Sequence, residues 1–502
     1  MYQRILDMPS IILTADSSLM LNPSEHIYQS YLTCFPASKL LEDLIKRAFT
    51  PISYHVDGGV KLAPLSIRVL ESILYRSDLK DTIVRVIHPK DLGKFITQET
   101  KIVGISVIDP LGQGPIPSTL SFFLGGEPYL KLKFEEMLLN LRLLKNKYPF
   151  KIVVGGPGAW QLAVRSLTKL YDIDYVIVGE AEKIVPRLFY DVLTGQLPED
   201  SILFSEVANP EEVPPIMKPT IGGLIEVSRG CTRKCEWCYS TMASYTGTNR
   251  MRFIPADTIK KSAYVNAVVN NGSVCLQSDD ILLYGSKGFY PEPEVVLNLL
   301  EDLHSIREVK NISFLHFSFS SIASSPETVA EITKFLDANN LGDKNIQIGL
   351  ETGSVKLLKR HMPGKALPFK PEEWHEVVIE GSKILSNNRW YSIVTLILGF
   401  PDEEPEDVKE TEQLIHRLGP FPLIFIPLFF TPIKLRQSRF LEQKLHEKKL
   451  LIEHIRLLSL IEKHNIKIIG KAPLKIKRLF SCFQKALEIG KKHFSNYLNY
   501  HK

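Results

Sequence analysis

CTRKCEWC, residues 231–238, follows the strand-like run Gly222 to Val227 and packs three cysteines into eight residues. The spacing is C-x3-C-x2-C. Cysteine thiolates are the usual protein ligands of iron-sulfur clusters, so Cys231, Cys235 and Cys238 can take three corners of a four-iron cubane. The remaining iron then has no protein ligand, and that open corner is where chemistry would occur. The competing reading is a structural zinc site, which is closed by four ligands that usually come in two pairs. No second pair follows Cys238, and Cys34, Cys275 and Cys482 each stand alone. An isolated cysteine most often behaves as a small buried hydrophobe.

With Trp237 directly before the last cysteine, the motif resembles the signature of radical S-adenosylmethionine (radical SAM) enzymes. The resemblance implies that Cys231, Cys235 and Cys238 hold a 4Fe-4S cluster and that Trp237 lies near the adenine. It also implies that the amino and carboxylate groups of S-adenosylmethionine chelate the open iron. Reductive cleavage of the sulfonium then releases a 5'-deoxyadenosyl radical, with an electron donor of ferredoxin or flavodoxin type.

The 502 residues suffice for two or three domains with ample core. A 44% hydrophobic fraction describes a globular chain, and six cysteines, half of them in one motif, argue for a reducing compartment rather than a disulfide scaffold. Met1 to Met20 carries Asp7 and Asp16 and does not read as a signal peptide. No apolar run is long enough to cross a bilayer. The expectation is a cytoplasmic protein, with contact at a membrane surface left open.

Net charge is +5 but unevenly placed: residues 436–502 hold 16 Lys plus Arg against 5 Asp plus Glu, and the preceding 435 residues are net negative. Such a tail suits an anionic partner, or it is simply a solvated helical face. The pattern LLIEHIRLLSLIEKH (450–464), and again Ile476 to Phe494, is amphipathic. Such helices either lie in a membrane interface or, more commonly, bury the apolar face against a neighbouring domain.

Residues 1–80 read as an N-terminal extension with one clear helical pattern, Leu65 to Tyr75. From 81 to 205, β-branched runs at Ile83–Ile87, Ile102–Ile108, Lys151–Val154 and Tyr175–Val178 frame the helical stretch Lys131 to Lys147. This α/β alternation predicts a Rossmann-like parallel sheet with ligands at its carboxyl edge. The loops there are DPLGQGP (109–115), GGPG (155–158) and GEAE (179–182). VVGGPG and VIVGEAE, ahead of a radical SAM motif, look like the cobalamin-binding domain of many superfamily members. That resemblance implies cobalamin contacts at Gly155, Gly156 and Gly179. The strings LTADSSLM (13–20), DPLGQGP and GGPGAWQL (155–162) resemble a narrower archaeal group, the tetraether-lipid (GDGT) ring synthases and the calditol synthase. One departure matters: DPLG lacks the histidine that ligates cobalt from below in many such domains. Cobalamin is therefore carried as an open alternative.

Residues 221–435 repeat the alternation, with strands expected at Leu224–Val227, Val274–Leu276, Ile312–Phe317, Ile346–Leu350, Ile393–Leu398 and Leu423–Phe429. Six β/α units predict a partial (β/α)6 barrel, whose site lies at the carboxyl ends of its strands. That rule brings Asp279 and Asp280, Glu351, Gly353 and Ser354, and Gly399 and Phe400 to one mouth with the cysteines. By resemblance, Glu351 contacts S-adenosylmethionine and Gly399 and Phe400 lie by its adenine. Asp279 and Asp280 are candidates for the ribose, the methionyl ammonium or the substrate. His316 reads as a packed core histidine. No catalytic acid, base or radical quencher is assigned.

The function expected from the resemblance is radical modification of an unactivated carbon, with an apolar tetraether lipid as substrate and carbon-carbon bond formation as the reaction. Headgroup attachment of calditol-synthase type, cobalamin-dependent methyl transfer, and modification of RNA or protein are the alternatives. Nucleic acid is the disfavoured partner.

Overall fold

The computed structural model describes residues 8–164, 167–238, 250–431, 448–471, 477, 480 and 482–492. The front of the chain builds a six-stranded parallel sheet. Its strands are β1 (Ile11–Thr14), β2 (Val84–Val86), β3 (Ile102–Ser106), β4 (Lys151–Gly155), β5 (Tyr175–Val178) and β6 (Ile202–Phe204), in the order β2-β1-β3-β4-β5-β6. Helices α1 (Leu65–Tyr75) and α3 (Ala181–Thr194) cover one face, and α2 (Tyr129–Lys145) covers the other.

Residues 1–80 are thus not set apart from the sheet, because β1 lies inside it between β2 and β3, in parallel register. All four β1 residues are buried. A strand covered on both faces loses the apolar-polar alternation that would mark it in sequence. The order reverses at β1, so the carboxyl ends of β1 and β3 form the crevice where such sheets bind ligands.

The second unit has strands β7 (Leu224–Glu226), β8 (Ser273–Gln277), β9 (Asn311–Phe314), β10 (Asn345–Glu351), β11 (Tyr391–Leu398) and β12 (Leu423–Phe429). Neighbours pair in parallel as β7-β8-β9 and β10-β11-β12, and a parallel bridge between His316 and Gln347 joins the two halves into a partial barrel. Helices α4 (Val355–His361) and α5 (Pro405–Leu418) follow β10 and β11.

Of the tail expected at 436–502, its start at Arg436 and Leu479 lie outside the described residues. Helix α6 (Lys448–Lys471) packs against β12 and α5. Asn465 acts there as a surrogate strand: its Oδ1 accepts the Phe425 N–H at 2.9 Å and its Nδ2 donates to the Phe425 carbonyl at 2.7 Å. Leu450, Leu457, Leu458 and Ile461 are buried, so the apolar face of α6 is spent on the barrel. Among the described residues no helix is long and apolar enough to cross a membrane.

Candidate active site at the cysteine loop

The cysteine loop leaves β7 through Ser228–Arg229, which pairs antiparallel with Arg252–Phe253. Gly230 turns the chain with φ +83°, and a Cβ there would lie 2.7 Å from the Arg250 carbonyl oxygen, so only glycine fits. Cys231, Cys235 and Cys238 are outside any disulfide and partly buried. Burial, then the Asp279 carboxylate, pushes the Cys231 thiol up to about 12. Burial likewise holds Cys235 well above its usual range, with Lys365 opposing and Cys238, Glu351 and Cys231 adding to the shift.

Three thiolates that disfavour one another need a cationic centre to coexist, and the positive iron core of a cluster supplies one. Among the described residues no three His, Cys, Asp or Glu side chains converge as they would on a single metal ion. A cubane presents its irons at separate corners, so its ligands need not converge on one point. By type and number, three thiolates with no second pair of ligands fit a 4Fe-4S cluster better than a closed four-ligand zinc site.

Two residues inside the motif tie the loop to the barrel. Arg233 is buried and donates to the Lys365 and Leu367 carbonyls at 2.9 and 3.1 Å, to Ser318 Oγ and Ser321 Oγ at 2.8 and 3.1 Å, and to Asp280 Oδ2 at 3.2 Å. Glu236 Oε2 lies 2.7 Å from His361 Nδ1, and His361 Nε2 lies 2.5 Å from Asp402 Oδ1. Trp237 is buried edge-on against Phe400, with ring centroids 5.4 Å apart, and against Phe430 at 5.7 Å.

Glu351 ends β10 at a register shift, with φ +69°. A non-glycine residue in the left-handed region is strained and persists where its surroundings over-determine it. Its carboxylate turns back over Gly349, where a Cβ would come 1.9 Å from Oε1. Oε1 sits 3.3 Å from Lys365 Nζ, and Thr395 Oγ1 donates to Oε2 at 3.2 Å. Burial raises the Glu351 carboxyl, against the pull of Lys365. For Lys365 burial opposes the charge, yet Glu351 and Cys235 hold the ammonium above its usual value.

The two adjacent aspartates separate. Asp280 turns inward, and Ser318 Oγ and Ser321 Oγ each donate to its Oδ2 at 2.6 Å. Its Oδ1 is buried with no hydrogen-bond partner among the described residues, which leaves an acceptor for a bound ligand. The charge of Asp279 bears on Cys231 and on His316. His316 lies at the mouth as well, with Nδ1 3.2 Å from the Ser278 carbonyl. Burial lowers its pKa, while Asp279 and Asp280 work the other way. It is a strand-end residue facing charged groups, which the apolar pattern around it in sequence concealed.

The remaining expected residues occupy supporting places. Gly353 lies against α5, where a Cβ would sit 2.7 Å from Thr411 Cα, and its N–H donates to Thr411 Oγ1 at 2.8 Å. Ser354 caps α4 and donates to Asp407 Oδ1 at 2.6 Å. Gly399 has φ +79°, and its N–H donates to Glu403 Oε2 at 2.7 Å, which His454 meets at 2.9 Å from α6.

At the Rossmann-like edge, Gly156 has φ +100° and a Cβ on it would lie 2.7 Å from the Val107 carbonyl oxygen. This glycine is required by the close approach of the β3 loop. Gly155 precedes it at the end of β4. Asp109 accepts the Gln113 and Gly114 N–H groups at 2.8 Å each and Gln161 Nε2 at 2.7 Å, so its carboxylate organises the loop where a cobalt-ligating histidine is missing. Gly179, φ +118°, leads into Glu180, whose Oε2 accepts from Arg252 at 2.9 Å and Arg229 at 3.2 Å. Arg229 also donates to Glu182 at 2.7 Å. The GEAE turn thereby grips the hairpin that carries the cysteine loop. Arg229, Arg233 and Lys365 were not expected from sequence, since a lone basic residue ordinarily reads as surface.

Residues 225–415 match the Radical SAM superfamily, and the chain carries a domain of that kind, whose members use S-adenosylmethionine and a 4Fe-4S cluster. The chain is 23% identical over 291 residues to the threonylcarbamoyladenosine tRNA methylthiotransferase MtaB of Aquifex aeolicus, covering 57% of this chain and 64% of that one. It is 26% identical over 258 residues to the tRNA-2-methylthio-N(6)-dimethylallyladenosine synthase of Helicobacter pylori strain 26695, covering 48% and 54%. The chain thus spans little more than half to two thirds of the length of these relatives. Among solved structures, the fold is shared with the radical S-adenosylmethionine methyltransferase TsrM of Kitasatospora setae, bound to cobalamin and a 4Fe-4S cluster. The TM-score is 0.57 at 14% identity over 85% of this chain and 74% of that one. It is shared also with the cobalamin-dependent S-adenosylmethionine radical enzyme OxsB with aqua-cobalamin bound, at TM-score 0.56 and 14% identity over 98% and 73%.

Proposed function

We propose that this radical SAM enzyme cleaves S-adenosylmethionine reductively and uses the resulting 5'-deoxyadenosyl radical to abstract hydrogen from an unactivated carbon. The carrying observation is the C-x3-C-x2-C thiol set, outside any disulfide, at the barrel mouth with Lys365 and Glu351 beside it. When bound, the cluster supplies the electron for cleavage. The chain's own work is positioning: Arg233 and Glu236 place the loop, Trp237 and Phe400 form an apolar wall, and the Glu351–Lys365 pair and Asp280 Oδ1 offer charged contacts to a zwitterionic ligand. Reconstitution with iron and sulfide under anaerobic conditions, then reduction with S-adenosylmethionine present, tests this. Formation of 5'-deoxyadenosine is expected, and its absence with a fully loaded cluster ends the reading.

For the substrate we favour an apolar carbon chain of archaeal tetraether type, modified by carbon-carbon bond formation. The strings at 13–20, 109–115 and 155–162 support it. A cytoplasmic site at a membrane surface goes with that reading. The names of the curated relatives favour a second reading, a modified nucleoside in tRNA. Incubation with tetraether lipid extract and, separately, with bulk tRNA, followed by mass spectrometry of both, separates the two.

We propose cobalamin as the ligand of the Rossmann-like edge, supported by the fold shared with TsrM and OxsB. Asp109 is engaged in its own loop, so a corrinoid there would take no lower ligand from that motif. Cobalt content of protein produced with cobalamin in the medium decides the matter.

A further inference from the structure

We infer that Arg233 and Glu236, the anchors in the two gaps of the C-x3-C-x2-C motif, hold the cysteine loop in its ligand-ready form before any cluster is present. The loop is then a pre-organised tripod and not a segment folded by its metal. This deepens, and rests on, the reading of the three cysteines as cluster ligands.

In the first gap, the Arg233 guanidinium bonds to three structural elements at once. Asp280 comes from the loop after β8, Ser318 and Ser321 from the cap and first turn of the short helix Phe319–Ser324 that follows β9, and the Lys365 and Leu367 carbonyls from the loop after α4. A buried cation is tolerated only when its donors are met, and here both terminal nitrogens are. The backbone is clasped too: Gly364 donates its N–H to the Arg233 carbonyl at 3.1 Å, and a Cβ on Gly364 would lie 2.8 Å from Arg233 Cα. Gly364 is glycine because the loop lies on it.

In the second gap, Glu236 donates its N–H to the His361 carbonyl at 3.2 Å, and its carboxylate meets the His361 ring. Between the anchors Lys234 stands at φ +56°, a left-handed conformation that a non-glycine residue keeps only when both sides are fixed. Within the loop the Cys231 sulfur accepts the Arg233 backbone N–H, but the contacts that tie the loop to the barrel are made by Arg233, Glu236 and Gly364. The ordering cost of the loop is therefore met by the protein, and cluster binding does not have to supply it.

Hydrogen exchange on the iron-free 502-residue chain tests this without any activity. The peptide spanning Cys231 to Cys238 is expected to be protected in the wild type and in Cys235→Ser. Arg233→Ala and Glu236→Ala should each speed its exchange by about tenfold while the β11 peptide stays protected. Should Arg233→Ala unfold globally, Gly364→Ala challenges the same clasp from the other side and is read in its place. An iron-free wild-type loop that exchanges at the unstructured rate and gains protection only with iron and sulfide overturns the inference, as do variants that exchange like wild type. A protected loop in a protein that assembles no cluster would instead remove the cluster reading and leave the pre-organisation standing.

Discussion

Glu351 and Lys365 form a buried ion pair, Oε1 to Nζ 3.3 Å, laid over the bare backbone of Gly349. The pair stands next to Cys235 of the loop, and both of its charges act on that thiol. Three unusual features coincide there: a left-handed glutamate, a glycine with no room for a methyl, and a lysine kept charged in the interior. Together they place opposite charges where a ligand with an ammonium and a carboxylate would sit.

Lys365→Met leaves the Glu351 carboxylate buried without its countercharge. Removing one member of a buried pair costs about 3 kcal/mol, and removing both costs far less. Urea unfolding should show that loss for Lys365→Met and recovery of most of it in Lys365→Met/Glu351→Leu. Additive losses in the double variant would mean that the two groups are not coupled.

Gly349→Ala pushes a methyl into Glu351 Oε1 and moves the carboxylate while the strand stays paired. Binding of S-adenosylmethionine to the cluster-loaded protein, read by equilibrium dialysis, should weaken by about tenfold, equivalent to about 1.4 kcal/mol. Unchanged affinity would detach this pair from the cofactor.

Cys235→Ala should abolish the visible absorbance of the cluster and the cleavage of S-adenosylmethionine together. Retention of either property would remove Cys235 from the ligand set.

Glu180 ties the Rossmann-like domain to the cysteine hairpin. Burial alone would raise its pKa, but the Arg252 hydrogen bond and the Arg229 charge outweigh it and hold the group below its ordinary 4.5. A depressed carboxyl stabilises the fold above the unfolded-state value, and that stability disappears as pH falls through the folded-state value. The stability difference between wild type and Glu180→Gln should therefore be flat from pH 6 to 8 and shrink below about pH 4.5. Thermal unfolding across that range measures it, and a difference that grows toward low pH would contradict the assignment.

Asn465→Ala strips both bonds from the Phe425 peptide at the barrel edge. Two buried backbone groups without partners cost about 2 to 4 kcal/mol. A loss below 0.5 kcal/mol, about the size of an ordinary surface change, would show that α6 is not integral to the barrel.

Much of the architecture can be read locally. All six barrel strands lie where short apolar runs stand between helical patterns: β9 and β10 alternate buried and half-buried residues, and β11 and β12 are buried along nearly their whole length. Ile11–Thr14 could not be read in that way. Three apolar residues and a threonine carry no period, and they become a central strand only because Val84–Val86 and Ile102–Ser106 flank them. The amphipathic pattern of the tail was legible, but its destination was not. Asn465 and His464 identify the barrel edge as the surface that α6 covers, since His464 Nε2 also meets the Leu423 carbonyl at 2.8 Å.

The sequence by itself determined the chemistry of the centre. Three thiols in eight residues, with no second pair, admit few ligands, and this follows from spacing alone. It determined also which strand ends crowd round that centre, since β/α alternation dictates the carboxyl side. Only the tertiary structure decided how the neighbouring charges divide their work. Asp279 and Asp280 are adjacent in the chain, yet the charge of one bears on the Cys231 thiol and the other accepts from Arg233, Ser318 and Ser321. Arg233 and Lys365, apart by more than a hundred positions, meet through a carbonyl at 2.9 Å. Such pairings depend on which side of a turn each side chain leaves, and on what the barrel brings opposite it. That information is distributed over the whole fold and written in no local pattern.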